Sequence, residues 1–200
     1  MVPFHSIVNT NTPYTSSTLR TDLTNLQNKY PFLQVSSIGN SVLGQPIHSV
    51  RIGTGSKEVF YNASIHAQEW ITTPLLMKFL DNYAFCYTQN IPIYSVNTHS
   101  LYDTTSLYIV PMVNPDGVDL VTGRFPSDSK PYLSASSIAQ SYPNISFPDG
   151  WKANIRGIDL NLQFPAGWEQ AKRIKYAQGF TRPAPRDFVG YRSSYRTRSN

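Results

Sequence analysis

Hydrophobic residues recur along the chain at two different periods, and the alternation between them predicts strands separated by helices. Over 14–29 a Thr/Ser cluster suited to N-capping precedes Leu19, Leu23 and Leu26 at helical spacing, and Pro31 closes the segment. Residues 32–38 and 47–52 are short β-rich runs separated by Gly39-Asn40 and Gly44-Gln45-Pro46, which predicts an antiparallel pair. A third strand is expected at 59–65. The stretch 70–87 sets Leu75, Leu76, Phe79, Leu80 and Tyr83 on one helical stripe, with Pro74 tolerable in the first turn. Residues 107–113 are almost wholly apolar, as expected of a strand covered on both sheet faces. Asn114-Pro115-Asp116-Gly117 then reads as the turn that stops it. From 122 to 157 the prolines Pro126, Pro131, Pro143 and Pro148 break any period, so this stretch reads as a long loop, more often functional than idle. The pattern predicts an α/β domain with a mixed central sheet and helices on both faces.

Composition narrows the class. With 40% hydrophobic, 13% aromatic and only 14% charged residues over 200 positions, the chain is neither disordered nor, given its interrupted apolar runs, membrane-spanning. A single cysteine, Cys86, excludes an internal disulfide framework and a cysteine-rich zinc knuckle. Met1-Val2-Pro3-Phe4-His5 shows neither a basic nor an apolar leader region, so a cytoplasmic location is expected. The formal charge of +5 suggests an acidic partner until its distribution is considered. The last ten residues hold three arginines and no acid, leaving 14 basic against 12 acidic residues elsewhere. Without a clustered basic face, nucleic acid is not an expected partner.

The segment Asn62-Ala63-Ser64-Ile65-His66-Ala67-Gln68-Glu69-Trp70 carries the first candidate chemistry. A strand delivers His66 to its carboxyl end, where α/β sheets bind ligands, and Glu69 follows three residues later as a helix starts. An imidazole nitrogen and a carboxylate oxygen so spaced can converge on one cation. Zn²⁺ suits them, since catalytic zinc commonly takes two His and one Glu and activates a water in the remaining position. The same spacing also fits a polar pair at a helix N-terminus, where an acid is favoured by the macrodipole. A second cluster, Asp159-Leu160-Asn161-Leu162-Gln163-Phe164, follows Trp151-Lys152-Ala153-Asn154-Ile155-Arg156-Gly157.

Taken together with Pro111-Met112-Val113-Asn114-Pro115-Asp116-Gly117, these motifs resemble the zinc carboxypeptidases of the carboxypeptidase A type. Among them the chain is most similar to the bacterial γ-D-glutamyl-diamino acid peptidases that trim peptidoglycan stem peptides. The resemblance runs from about residue 13 to about residue 190, with three motifs in family order. It implies a carboxypeptidase-like fold, Zn²⁺ as cofactor, and a peptide or peptidoglycan stem peptide as substrate. His66 and Glu69 match two zinc ligands, and Arg156 matches the arginine that polarises the scissile carbonyl and stabilises the oxyanion. Asn161 matches the asparagine that helps hold the substrate's carboxylate, and Asp159 orients its own loop or backs a ligand histidine.

Two departures from the family pattern shape the expectation. Leu162 stands where carboxypeptidases carry an arginine that clamps a free C-terminal carboxylate, a departure shared by the diaminopimelate-directed relatives. The family's third zinc ligand, a histidine, and its general-base glutamate lie beyond the second cluster, and after Asn161 this chain has no histidine. Glu169 and Asp187 are its only later acids, while His5, His48 and His99 sit in contexts that suit surface or packing roles. Residues 1–190 are therefore expected to form the N-terminal portion of a zinc carboxypeptidase-like catalytic domain, followed by an atypical basic tail at 191–200. Such a portion leaves its sheet incomplete, and a partner covering the open edge is expected. Alternatively, lacking the third ligand and the base, the chain acts as an inactive fragment or a peptide-binding module.

Overall fold

The computed structural model describes residues 3–191; of the basic tail, all but Tyr191 lies outside the described residues. Two compact units partition the chain. One comprises Met1–Ser64 with Trp70–Val113, the other Ile65–Glu69 with Asn114–Asn200.

The first unit holds the sheet. Helix α1 (Ser16–Lys29) starts where the Thr15 side chain accepts a hydrogen bond from the Thr18 N–H, and it buries Leu19, Leu23 and Leu26. Strands β1 (Gln34–Asn40) and β2 (Pro46–Ile52) form the expected antiparallel hairpin. Strand β3 (Lys57–Asn62) ends sooner than its apolar run, and Ala63 beyond it still donates to the Val110 carbonyl. Helices α2 (Thr72–Thr88) and α3 (Thr98–Thr104) then lead to β4 (Thr105–Val110). The sheet order is β1-β2-β4-β3, antiparallel except for β3 against β4, and the helical connection between those two is the long crossover a parallel pair requires. Leu107, Ile109 and Val110 of β4 are buried, as a central strand demands. The fold is α/β with a mixed sheet, as the pattern predicts.

Helix α2 departs from its single-stripe expectation because it presents two apolar faces. Met77, Leu80, Tyr83 and Ala84 are buried, whereas Leu75 remains 71% exposed. Leu75, Leu76 and Phe79 line a cavity of about 480 Å³ with Tyr61, Ala63 and Tyr94. Strand β3 closes the sheet as an edge, with Phe60 and Tyr61 largely solvent-facing. Polar anchoring in this unit centres on Asp81, whose buried carboxylate accepts from Ile7 N–H at 2.7 Å, Ser6 Oγ at 3.0 Å and Tyr30 Oη at 3.2 Å. His48 lies in β2 with burial lowering its pKa, assisted by the nearby charge of Arg20. His99 lies in α3 with its ring 4.5 Å from that of Tyr87, and His5 is exposed.

The second unit is helical and loop-built: α4 (Pro115–Val121), α5 (Lys130–Ala139) and α6 (Trp168–Ala177), with 3-10 turns at Ala67–Glu69 and Leu160–Leu162. Its core gathers Val118, Leu120, Ala135, Trp151, Ala153, Phe188 and Val189. Two expectations are corrected here. Asn114-Pro115-Asp116-Gly117 is the start of a helix rather than a simple turn: Asn114 is the N-cap, bonding the Gly117 N–H, and Pro115 occupies the first turn where no N–H is needed. The supposed loop 122–157 contains α5, whose Pro131 also sits in the first turn and starts the helix instead of breaking it. Among the described residues, no helix is long and apolar enough to cross a membrane.

Candidate metal centre

Every sequence-predicted site residue falls in the second unit. The chain enters it after Ser64, held at a positive φ of 49° with its N–H bonded to Thr72 Oγ1 and its hydroxyl 2.6 Å from Thr73 Oγ1. The 3-10 turn that follows carries His66 just before it and Glu69 at its end, so the two side chains lie on one side of a tight bend. His66 Nδ1 is 3.0 Å from Glu69 Oε1, and His66 Nε2 is 3.2 Å from Asp159 Oδ1. Asp159 is buried, the His66 side chain is 15% exposed and that of Glu69 is 45% exposed.

Hydrogen bonding fixes the orientation of this group. The Asp159 carboxylate caps the second 3-10 turn by accepting the Asn161 N–H at 3.1 Å, and its other oxygen accepts the Asp187 N–H at 3.2 Å. A carboxylate so held accepts Nε2–H of His66, which leaves the Nδ1 lone pair turned toward Glu69. Two donor atoms, one nitrogen and one carboxylate oxygen, then face each other 3.0 Å apart. Zinc bonded at about 2.0–2.1 Å to two corners of a tetrahedron needs donors roughly 3.3 Å apart, so a small outward adjustment would admit it. The donor types and their spacing thus fit Zn²⁺ as a pair. Among the described residues, no group of three or more His, Cys, Asp or Glu side chains is placed to hold a metal.

The segment 151–157 is laced onto the ligand-bearing turn. Ala67 N–H donates to the Lys152 carbonyl and Gln68 N–H to the Trp151 carbonyl, each at 3.1 Å. Asn114, buried inside, bonds through Nδ2 to the carbonyls of Ala153 at 2.9 Å and Ile65 at 3.3 Å, so one side chain joins both segments and caps α4. Gly117 is required by contact: a Cβ there would meet Ala67 Cβ at 2.8 Å and the Asn114 amide at 2.6 Å. Gly157 turns the segment with a φ of 73°, and a side chain there would press on the Ala184 backbone at 2.9 Å. Sequence reasoning missed the role of Asn114, whose context reads as turn chemistry when its partners 39 and 49 residues away in sequence are unknown.

The other expected site residues are placed differently. Asn161 stands on the turn capped by Asp159, with an exposed side chain directed to no partner among the described residues. Arg156 is also exposed; its backbone N–H bonds Asn154 Oδ1 at 3.0 Å, and its guanidinium makes no hydrogen bond or ion pair among the described residues. Lys152 Nζ lies 3.8 Å from Glu69 Oε1.

Behind Asp159, Asp187 adopts a φ of 67° and pairs with Lys175 Nζ at 2.7 Å and Arg186 Nε at 2.8 Å. Burial pushes the Asp187 carboxyl up, but hydrogen bonds and charge from Lys175 and Arg186 outweigh it and hold the group below the usual carboxylate range. A depressed folded-state pKa means that the stabilisation is complete above the unfolded value near 3.9 and fades as pH falls through the folded value. Asp187→Asn is expected to lower stability at pH 6–7 by about 1 kcal/mol or less, allowing for solvent screening. Chemical denaturation at several pH values checks this: the gap between variant and parent should narrow below about pH 4.

Comparison with known proteins gives the family. Residues 19–187 match the zinc carboxypeptidase family, to which this chain belongs. Its relatives include a γ-D-glutamyl-L-diamino acid endopeptidase 1 of Lysinibacillus sphaericus, 46% identical over 92% of this chain and 45% of that protein. An uncharacterized protein of Bacillus subtilis (strain 168), YqgT, is 38% identical over 88% of this chain and 46% of its own length. Bovine thrombin-activatable fibrinolysis inhibitor, solved in complex with tick carboxypeptidase inhibitor, shares the fold. Its TM-score is 0.61 at 17% identity, covering 92% of this chain and 52% of that one. This chain spans a little under half the length of the two curated relatives named here.

Proposed function

We propose that this chain provides the metal-holding and substrate-facing side of a zinc peptidase that hydrolyses γ-D-glutamyl–diamino acid bonds in peptidoglycan stem peptides. The observation that carries this reading is His66, held by Asp159 on one nitrogen and facing Glu69 with the other. His66 and Glu69 would hold the zinc, and Asp159 keeps the imidazole in the tautomer that presents Nδ1. When bound, zinc polarises the scissile carbonyl and lowers the pKa of water. Asn161 offers an exposed amide beside this group to a substrate carboxylate or carbonyl. Leu162, next in sequence, has no donor to clamp a free C-terminal carboxylate, which supports a branched or internal target over an ordinary C-terminus. The identity to an endopeptidase of that named specificity supports the same substrate class.

The solvent-facing edge of β3, with Phe60 and Tyr61, supports the expectation that a partner covers the open sheet. A second reading, a peptide-binding module without turnover, is favoured by the absence of a three-donor metal group among the described residues. Purified chain incubated with a γ-D-Glu–diaminopimelate peptide and Zn²⁺ separates the two. Zinc-dependent cleavage lost in His66→Ala supports the peptidase. Peptide binding of equal strength with and without zinc, and no cleavage, supports the module.

A further inference from the structure

The two edges of the sheet differ in how they meet solvent. Edge strand β1 carries Ser36, Ser37, Gly39 and Asn40, and its register shifts between Ser37 and Gly39, features that hinder pairing with another chain. Strand β3 has no such shift: its register with β4 runs unbroken from Lys57 to Asn62. It contains no proline, and Val59-Phe60-Tyr61 make its centre apolar. It pairs with β4 alone, so the N–H and C=O groups along its other side have no strand partner.

Both faces of this edge present apolar surface to solvent. Phe60 is 59% exposed on one face and Tyr61 is 50% exposed on the other. On the Tyr61 face a groove runs between β3 and α2. Its two cavities, of about 480 and 180 Å³, share Tyr61 and Phe79; Leu75 lines the larger and Val59 the smaller. Leu75 is itself 71% exposed. Apolar surface continuous along an unpaired strand marks a place of association.

We propose that this chain forms a two-fold dimer through β3, joining two four-stranded sheets into one. The edge is its own complement. Copies related by an axis perpendicular to the sheet pair antiparallel with their faces aligned. With Phe60 opposite Phe60, Val59 falls opposite Tyr61, Glu58 opposite Asn62 and Lys57 opposite Ala63. These are the aromatic–aromatic and aromatic–β-branched pairs that stabilise sheets, and no like charges meet. The same axis sets both α2 helices on one face, so the two grooves open onto each other and cover Leu75 and Phe79. An isologous contact of this kind closes at two copies. The proposal rests on the reading of β3 as an open edge, names its partner, and is independent of any metal.

Sedimentation velocity of the full chain across micromolar concentrations tests this, with amide hydrogen exchange along β3 as a second readout. A concentration-dependent dimer is expected, its β3 amides protected at high concentration and released on dilution. Phe60→Lys and Phe60→Glu each set like charges face to face across the axis, and each should weaken the dimer by about 100-fold. An equimolar mixture of the two should restore association to near the parent's strength, a rescue that general damage to the fold cannot give. Ile38→Lys, at a residue of β1 that is 62% exposed, should leave the dimer unchanged. Should a Phe60 variant lose its circular dichroism, Leu75→Ser in the groove tests the same interface and should weaken it several-fold. A dimer untouched by the Phe60 and Leu75 variants, one broken by Ile38→Lys, or a mixture without rescue overturns the proposal. So does a monomer at every concentration. In that case fast exchange along β3 leaves the edge open to a different partner, whereas protection independent of concentration removes the open-edge reading as well.

Discussion

His66→Ala is expected to weaken Zn²⁺ binding by at least about 100-fold. The imidazole supplies the one nitrogen donor of the pair, and its removal leaves Glu69 as a carboxylate already drawn toward Lys152. A ligand's loss should exceed that of the groups behind it, whose removal typically costs 10–100-fold. Asp159→Asn supplies the graded comparison. Its amide can still accept the Asn161 N–H and cap the turn, but it no longer presents a charged acceptor to His66 Nε2, and a loss of about 10–100-fold is expected. Competition with a chromophoric zinc chelator measures both. Parent-like affinity in His66→Ala would exclude the His66–Glu69 pair as the metal position.

The parts of the fold legible in the sequence were those whose signal is local. Leu19, Leu23 and Leu26 announce α1, and the apolar run of β4 announces a central strand, because periodicity and burial are set by one element against the core. Prolines misled where their position within a turn decides their effect. Pro115 and Pro131 each occupy a first helical turn, where the missing N–H is harmless, yet from sequence Pro115 reads as part of a turn and Pro131 as a breaker. His66 and Glu69 are legible as a pair because they stand three positions apart. The link from His66 to Asp159 crosses 93 residues and was available only through resemblance. Lys152 shows the complementary limit. Its pairing with Glu69 follows from backbone bonds to Ala67 and Pro185 that join segments far apart in sequence.

Trp151→Ala is expected to destabilise the protein by about 3–5 kcal/mol, the largest loss of stability for a single truncation in the second unit. Trp151 is completely buried, stacks its ring edge-on to Phe147 at 5.9 Å, and donates from Nε1 to the Asn154 carbonyl at 3.3 Å. Truncation removes that burial, leaves a cavity, and strips a donor from a carbonyl inside the turn. A loss of this size is a large share of the stability of an ordinary domain. Trp151→Phe keeps most of the volume and forfeits the indole hydrogen bond, so about 1–2 kcal/mol is expected. Urea denaturation monitored by circular dichroism separates the three proteins by midpoint. The effect should also reach the metal centre, because the Trp151 and Lys152 carbonyls receive the Gln68 and Ala67 N–H groups that shape the turn between His66 and Glu69. Under conditions where Trp151→Phe remains folded, its zinc affinity should fall by a few-fold, while a surface truncation such as Tyr94→Ala, at a residue 90% exposed, should change neither quantity. A folded Trp151→Ala within 1 kcal/mol of the parent would mean that the segment 151–157 is held by its backbone bonds alone, and that this indole is dispensable to the turn it supports.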